Sequence, residues 1–355
     1  MFQLTFDNHI FQTKKDFEID TADFPDFAKA AIQFCKDWIS GQKIFEQQTS
    51  GSIGTPKRIE ISRDQMIASA KATQGFFETD ENTTLLCCLD PNYIAGKMML
   101  VRAMVWNAKT ELIEPKSNPL LELNEIPDFV AMVPLQVDSC IQDKTSREKL
   151  KKIKHLIIGG APISSGLREK LITNEIQAFQ TYGMTETVSH IALAKIEAGE
   201  LIYRTLPGVE IGTDDRNAIW VKSAASNNEL VQTNDAVDTI DQHSFHWLGR
   251  VDFVINSGGV KLHPELLEAK AEAIIHRFYP NSAFFFFGMK DDKLGEKLCM
   301  AIESTNDTKE NLLQLKKALV LDVDRYEVPK NTFIIPAFSR TKSGKINRPK
   351  TIERI

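Results

Sequence analysis

Residues 49–57 read TSGSIGTPK, with hydroxyls at Thr49, Ser50, Ser52 and Thr55, glycines at Gly51 and Gly54, and a cation at Lys57. Backbone N–H groups freed by glycine form anion-binding nests and lysine adds a compact positive charge, so these residue types suit the holding of phosphate. The template G-x-x-x-x-G-K-[ST] of kinases and NTPases does not fit. Counted from Gly51, Pro56 stands at the second glycine and Arg58 at the final hydroxyl position. Alone, the stretch reads better as a Gly/Ser turn between two elements. Three further regions carry residues of related chemistry: QTYGMTET (180–187), TNDAVD (233–238) with WLGRVDFVINSGG (247–259), and RTKSGKINR (340–348). Taken singly, Glu186 reads as a solvated loop carboxylate, Asp235 and Asp252 as turn aspartates, and Lys345 as a solvated lysine near a chain end.

The elements that must position these stretches are set by periodicity. Phe24, Phe27, Ala31, Phe34 and Trp38 recur at helical spacing within 22–40, and Gly41 is a stop. KIFEQQTSG reads as a strand entering the 49–57 loop and KRIEIS as a strand leaving it, with a helix from about Arg63 to Phe77. TTLLCCL (83–89) and DFVAMVPLQV (128–137) are apolar, β-rich runs that flank a buried helix at YIAGKMMLVRAM. HLIIGGAPIS (155–164) is a buried strand ending in glycines, followed by a helix with Leu167 and Leu171. Strands alternating with helices predict an α/β fold with a largely parallel sheet, in which ligands sit beyond the strands' carboxyl ends. That rule points to the glycine corners at 159–160 and 183. The last third alternates like antiparallel strands at AIWVKS and HSFHWLGRVDFVIN, with a turn at Gly258-Gly259. A helix is predicted from Pro264 to Phe278, strands at SAFFFFGM, KLCMAIES and NTFIIP, and a helix over 308–320. The expected organisation is a large N-terminal domain, 1–251, and a small α+β domain, 252–355.

The composition is that of an ordinary globular protein, and a net charge of −5 without a basic block gives nucleic acid no footing as a partner. Cys35, Cys87, Cys88, Cys140 and Cys299 have no zinc-ligand spacing and fit reduced, buried thiols. MFQLTFDNHIF lacks a basic segment ahead of an apolar run, and no apolar run approaches the ~20 residues of a membrane span. A cytoplasmic location is expected. His243 and His246 have metal-like spacing but fall in a predicted hairpin.

In their order, the four regions resemble those of the AMP-forming adenylating enzymes: acyl- and aryl-CoA ligases, luciferases and peptide-synthetase adenylation domains. The resemblance runs from about residue 45 to the C-terminus. It implies a large region that binds ATP and a carboxylic acid, a small mobile C-terminal domain, Mg²⁺, and coenzyme A as co-substrate. The acid attacks the α-phosphate of ATP and pyrophosphate leaves; a thiol then displaces AMP from the acyl-adenylate. The resemblance assigns Thr49, Ser50, Gly51, Ser52, Gly54 and Lys57 to the β- and γ-phosphates, with Ile53 where the family has a second threonine. It has Tyr182 stack on adenine beside Gly160, Ala161 and Pro162, within a loop that includes Gly183 and Met184. Thr185 contacts the α-phosphate, Glu186 holds Mg²⁺, and Asp235 accepts from the ribose hydroxyls with help from Arg250. Asn234 stands where the family usually has glycine. Asp252 matches the hinge residue, followed by Phe253 where the family has a second acid. Lys345 matches the lysine that enters the site for adenylation, and Gly258 and Gly259 approach the pantetheine arm of coenzyme A.

Within the family, CLDPNYIAGKMMLVRAM, LIIGGAPISSGL and QTYGMTETVSHIA look most like the ligases that act on o-succinylbenzoate in menaquinone synthesis. The 49–57 loop begins early for the family, so part of the N-terminal subdomain is expected to be missing. That acid has two carboxylates, one activated and one to be recognised. Arg102 lies in an apolar stretch, where a cation needs either a substrate carboxylate or a structural salt bridge to a nearby Asp or Glu. Ser189 and His190 are expected near the acyl pocket. Competing readings are a CoA ligase for another aryl or short acyl acid, an adenylation enzyme loading a carrier protein, and a nucleotide-binding module without catalysis.

Overall fold

The computed structural model describes residues 1–48, 58–305, 308–341 and 346–355. Thirteen described strands form one sheet. Its parallel part, in spatial order, is Gln3–Phe6, Lys109–Leu112, Thr84–Cys87, Phe129–Met132, His155–Ile158 and Ala178–Gly183. Phe129–Met132 is buried throughout, as a parallel strand covered on both faces must be. Beyond Ala178–Gly183 the pairing turns antiparallel, through His190–Lys195 and Tyr203–Thr205 to Ser244–Arg250, Leu230–Asp241, Ala218–Lys222 and Glu210–Thr213. The antiparallel strands expected in the last third therefore complete this sheet up to Arg250. The N-terminal strands Gln3–Phe6 and His9–Phe11, which no alternation announces in so short a run, close its other edge.

Two helices matter most for the cavity at the strand ends. Arg63–Phe77 starts on a capping box in which Ser62 Oγ accepts from the Gln65 N–H at 3.2 Å and the Gln65 side chain accepts from the Ser62 N–H at 2.9 Å. It ends where Glu78 turns left-handed at φ 54°. Ile94–Trp106 is buried at most of its positions, and Asn107 ends it in the same way at φ 58°. The two helices pack together, and Trp106 Nε1 donates to the Ala70 carbonyl at 3.0 Å.

One apolar run splits. In DFVAMVPLQV the strand stops at Met132, and Pro134 opens a helix that reaches Gln142. Proline lacks the N–H the next ladder bond needs, and its fixed φ suits a first helical turn. The smaller sheet comprises Ile255–Ser257, Val260–Leu262, Phe284–Asp291, Gly295–Glu303 and Asn331–Ile335, with helices Pro264–Phe278 and Lys309–Asp322. Buried apolar residues of the large sheet run as far as Phe245, and those of the smaller one begin at Ile255. The five cysteines are free and buried.

Candidate active site

A cavity of about 720 Å³ opens at the carboxyl ends of the parallel strands, beside Met132, Val133, Gly159, Gly160, Thr181 and Gly183. Its far wall comes from the antiparallel strands at 231–235 and Arg250, and its floor includes Arg102, Ser189 and His190. Both glycine corners singled out by the strand-end rule are therefore in its wall.

The turn between Ala178–Gly183 and His190–Lys195 sets the geometry. Gly183 pairs with His190 across the two strands, and the register shifts just after His190. A Cβ on Gly183 would run into the Ser189 carbonyl oxygen and stand 2.5 Å from His190 Cα, so the approach of the two backbones admits only glycine. Val188 sits at φ 66°, ψ −50°, an outlier for a β-branched residue. This corner holds Ser189 and His190 at the cavity. Gly183→Ala is expected to destabilise the fold by about 2–3 kcal/mol through forced backbone displacement and to raise the KM for the acid. Thermal unfolding and acid titration check both, and wild-type values in each would show that the corner shifts freely.

Asp235 anchors the wall formed by the antiparallel strands. Its Oδ2 accepts from the Tyr182 hydroxyl at 2.8 Å, Arg250 Nη1 lies 3.8 Å from Oδ1, and its N–H donates to Thr233 Oγ1 at 3.0 Å. Burial first, and the Asp235 charge second, push the Tyr182 hydroxyl pKa upward, which keeps it a donor. The Tyr182 ring packs edge-on against Tyr203 and Phe245. Arg250 also donates to Asp252 Oδ2 at 2.9 Å, so one guanidinium links the two aspartates. Asn234 lines the cavity, and its side-chain amide reaches Asp252 Oδ2 at 3.4 Å.

Met184, Thr185 and Glu186 line the cavity together, Thr185 half-buried and Glu186 exposed. Among the described residues no three His, Cys, Asp or Glu side chains cluster as a self-sufficient metal site. A lone, solvent-accessible carboxylate fits Mg²⁺ all the same, because that ion is commonly held by one or two carboxylates with the rest from water and substrate phosphate.

Arg102 is only 2% exposed, yet it reaches the cavity. Its Nη2 donates to Ser189 Oγ at 3.0 Å and lies 3.5 Å from His190 Nδ1; Nη1 meets Met99 Sδ at 3.5 Å; Nε has no partner among the described residues. No described carboxylate forms an ion pair with it, so the alternative of a structural salt bridge is not met. Burial lowers its pKa to about 10, which leaves it charged at neutral pH. His190 is buried too, and burial followed by the neighbouring cation hold its pKa well below the ordinary value. Sequence reasoning missed Thr73, whose Oγ1 is 3.1 Å from His190 Nε2. A threonine inside an amphipathic helix carries no signal of such a contact.

Other expected residues lie elsewhere. Ala161 and Pro162 are exposed past the Gly160 corner and, with Tyr182, are not in the cavity lining. Gly258 and Gly259 form the turn between Ile255–Ser257 and Val260–Leu262, with positive φ of 60° and 83°, and they too are outside the lining. Phe253, in place of the family's second acid, faces Arg348, whose guanidinium carbon is 4.9 Å from the ring centroid. Arg348 Nη2 also donates to Glu268 at 2.7 Å. Glu272 of the Pro264–Phe278 helix accepts from the Ser165 N–H at 2.6 Å, tying that helix to the start of helix Ser165–Thr173. His243 lies between the strands Leu230–Asp241 and Ser244–Arg250, and His246 lies within the latter. Thr49, Ser50, Gly51, Ser52, Gly54, Lys57 and Lys345 lie outside the described residues.

Residues 42–216 match the AMP-binding enzyme family. The 2-succinylbenzoate–CoA ligase of Staphylococcus epidermidis is 22% identical over 336 residues, covering 85% of this chain and 68% of that protein. Among solved structures, o-succinylbenzoate CoA synthetase from Bacillus subtilis, in complex with its acyl-adenylate intermediate, aligns with a TM-score of 0.71. It is 21% identical, with 86% of this chain and 68% of that one covered, a likeness of fold. The acyl-CoA synthetase (AMP-forming)/AMP-acid ligase II-like protein of Dyadobacter fermentans is 36% identical, with a TM-score of 0.64. That alignment covers 97% of this chain and 98% of the other. At that identity over both full lengths, and with the cavity set at the strand ends, the chain belongs to the AMP-binding enzyme family of AMP-forming acyl-CoA synthetases.

Proposed function

We propose that the protein is an ATP-dependent, AMP-forming ligase that adenylates o-succinylbenzoate and passes the acyl group to coenzyme A, a step of menaquinone synthesis. The observation that carries the choice of acid is Arg102: a buried, charged guanidinium at the cavity floor with no carboxylate among the described residues paired to it. A charge in that position is unfavourable unless an anion meets it, and a guanidinium matches a carboxylate in planar, paired hydrogen bonds. A dicarboxylate places one group there and leaves the other free to react. Relatives described as 2-succinylbenzoate–CoA ligases support the same reading.

The remaining roles are distributed along the wall of the cavity. Asp235, held by Tyr182 and Arg250, accepts from the ribose hydroxyls, and Thr185 donates to the α-phosphate. The 49–57 loop binds the departing pyrophosphate, and Lys345 bridges the attacking carboxylate and ATP. Glu186 would hold Mg²⁺, which would supply neutralisation of phosphate charge. Catalysis of this kind is positioning and electrostatic stabilisation rather than proton transfer. Residues 252–355 turn about Asp252 between the two half-reactions and bring Gly258 and Gly259 to the pantetheine arm. The enzyme works in the cytoplasm; no described helix is long and apolar enough to cross a membrane.

The test is nucleotide product analysis with Mg-ATP across a panel of acids, with and without coenzyme A. AMP and pyrophosphate are expected, dependent on o-succinylbenzoate, with thioester appearing only when coenzyme A is added. ADP as the product would overturn the chemistry. Preference for a simple benzoate or a fatty acid would overturn the substrate alone.

A further inference from the structure

We propose that Thr73 and His190 are positioning residues for the acid: Thr73 holds His190 as its neutral Nε2–H tautomer, and the Nδ1 lone pair then orients the Arg102 guanidinium. The proposal rests on the reading of Arg102 as the acid's partner and adds how that partner is kept in place. Arginine has donors only. Its Nη2 faces both Ser189 Oγ, at 3.0 Å, and His190 Nδ1, at 3.5 Å. A proton on Nδ1 would therefore point an N–H at a cation that itself offers only N–H groups. The ring's proton belongs on Nε2.

The other side of the ring agrees independently. Nε2 lies 3.1 Å from Thr73 Oγ1, and Thr73 Oγ1 is 3.1 Å from the Ser69 carbonyl one helical turn back. Donating its hydroxyl hydrogen to that carbonyl, Thr73 presents a lone pair to the ring and accepts from Nε2–H. A chain of one sense results, from His190 into Thr73 and from Thr73 into the backbone. The long 3.5 Å contact to Arg102 acts chiefly through the ring dipole, whose negative end faces the cation. The Ser189 hydroxyl, which accepts from Nη2, lies 3.4 Å from the same Nδ1 and keeps its hydrogen for the ring or a bound carboxylate.

The consequence is a charge count. Of the groups in contact with the ring, Thr73 and Ser189 are neutral and Arg102 is the cation, so a neutral His190 leaves this end of the cavity with a single positive charge. One carboxylate balances it. A protonated ring would add a second charge and remove the acceptor that aims the first.

Histidine labelled with ring ¹⁵N gives the direct test, with His190 assigned by its loss in His190→Asn. Long-range proton–nitrogen spectra of the ligand-free protein are expected to show Nε2 protonated and Nδ1 pyridine-like, unchanged from about pH 5.5 to 8. Thr73→Val, which removes the hydroxyl at nearly constant volume, is expected to disturb that pattern. It should raise the KM for o-succinylbenzoate about 10-fold while kcat stays within about twofold. The KM for benzoate, which lacks the second carboxylate, should not move, and Thr73→Ser should restore wild-type behaviour. A wild-type ring protonated on Nδ1, or on both nitrogens at pH 7, overturns the proposal. So does a Thr73→Val variant that affects both acids alike. Should o-succinylbenzoate not be turned over at all, the spectra still decide the tautomer, so the two readings fail separately.

Discussion

Lys345→Ala is expected to reduce acyl-adenylate formation by about 10²–10³-fold, the loss that accompanies removal of one preorganised electrostatic contact to a developing charge. It should leave conversion of supplied acyl-adenylate to thioester within about threefold of wild type. The lysine lies outside the described residues, and the expectation rests on its place in RTKSGKINR. What the structure adds is the footing of the flanks. Arg340 and Ile346 form an antiparallel bridge, the Asn347 N–H donates to the Ser339 carbonyl at 2.8 Å, and Arg348 is tied to Glu268. A lysine's long stem and compact charge suit a contact required in one half-reaction only. Single-turnover assays of each half-reaction check the prediction. Equal losses in both would mean that Lys345 supports the fold or the thioester step and is no adenylation residue.

The second large effect concerns Arg102. Truncating one member of a buried charged pair costs roughly 2–5 kcal/mol because the other charge is stranded. Arg102→Ala is thus expected to lower kcat/KM for o-succinylbenzoate by about 30-fold or more. A monocarboxylate analogue should be as poor a substrate for wild type as the dicarboxylate is for the variant, and the substitution should then harm it little further. Stability supplies a second, opposite readout. Arg102 has no ion-pair partner among the described residues, so replacing it by an apolar side chain of similar length removes a buried, uncompensated charge. Arg102→Met is expected to leave thermal stability unchanged or to raise it, as hydrophobic replacements of buried charges do by about 1–4 kcal/mol in favourable cases. A structural arginine would behave in the reverse way: stability would fall, and the two acids would lose activity in equal measure.

The family resemblance was legible because the motifs that carry it are local: TSGSIGTPK and QTYGMTET are sets of short residue types over a few consecutive positions, readable by type and spacing. Of these, the structure places Gly183, Met184, Thr185 and Glu186 in the cavity lining, and 49–57 lies outside the described residues. The helices Arg63–Phe77 and Pro264–Phe278 lie where the sequence placed them, the second on the signal of a proline at its start and apolar residues on one face. Where a local signal was weak, the reading failed: the short strand Gln3–Phe6 pairs with chain about a hundred residues away, and the apolar run 128–137 hides a helix start at Pro134.

The Arg102 end of the cavity is of another kind. Sequence placed Arg102 in an apolar stretch and could not choose between a protein carboxylate and a substrate. Packing set aside the first, by burying the guanidinium against Ser189 and His190, 87 and 88 positions away, with no described acid paired to it. Thr73 meets His190 across 117 positions, and Tyr182 meets Asp235 across 53. The need for glycine at 183 likewise comes from the Ser189 and His190 backbone pressed against it. Side chains this far apart acquire partners, burial and protonation state only when the sheet and helices close around them, since desolvation and hydrogen-bond geometry are properties of the packed interior and not of the chain.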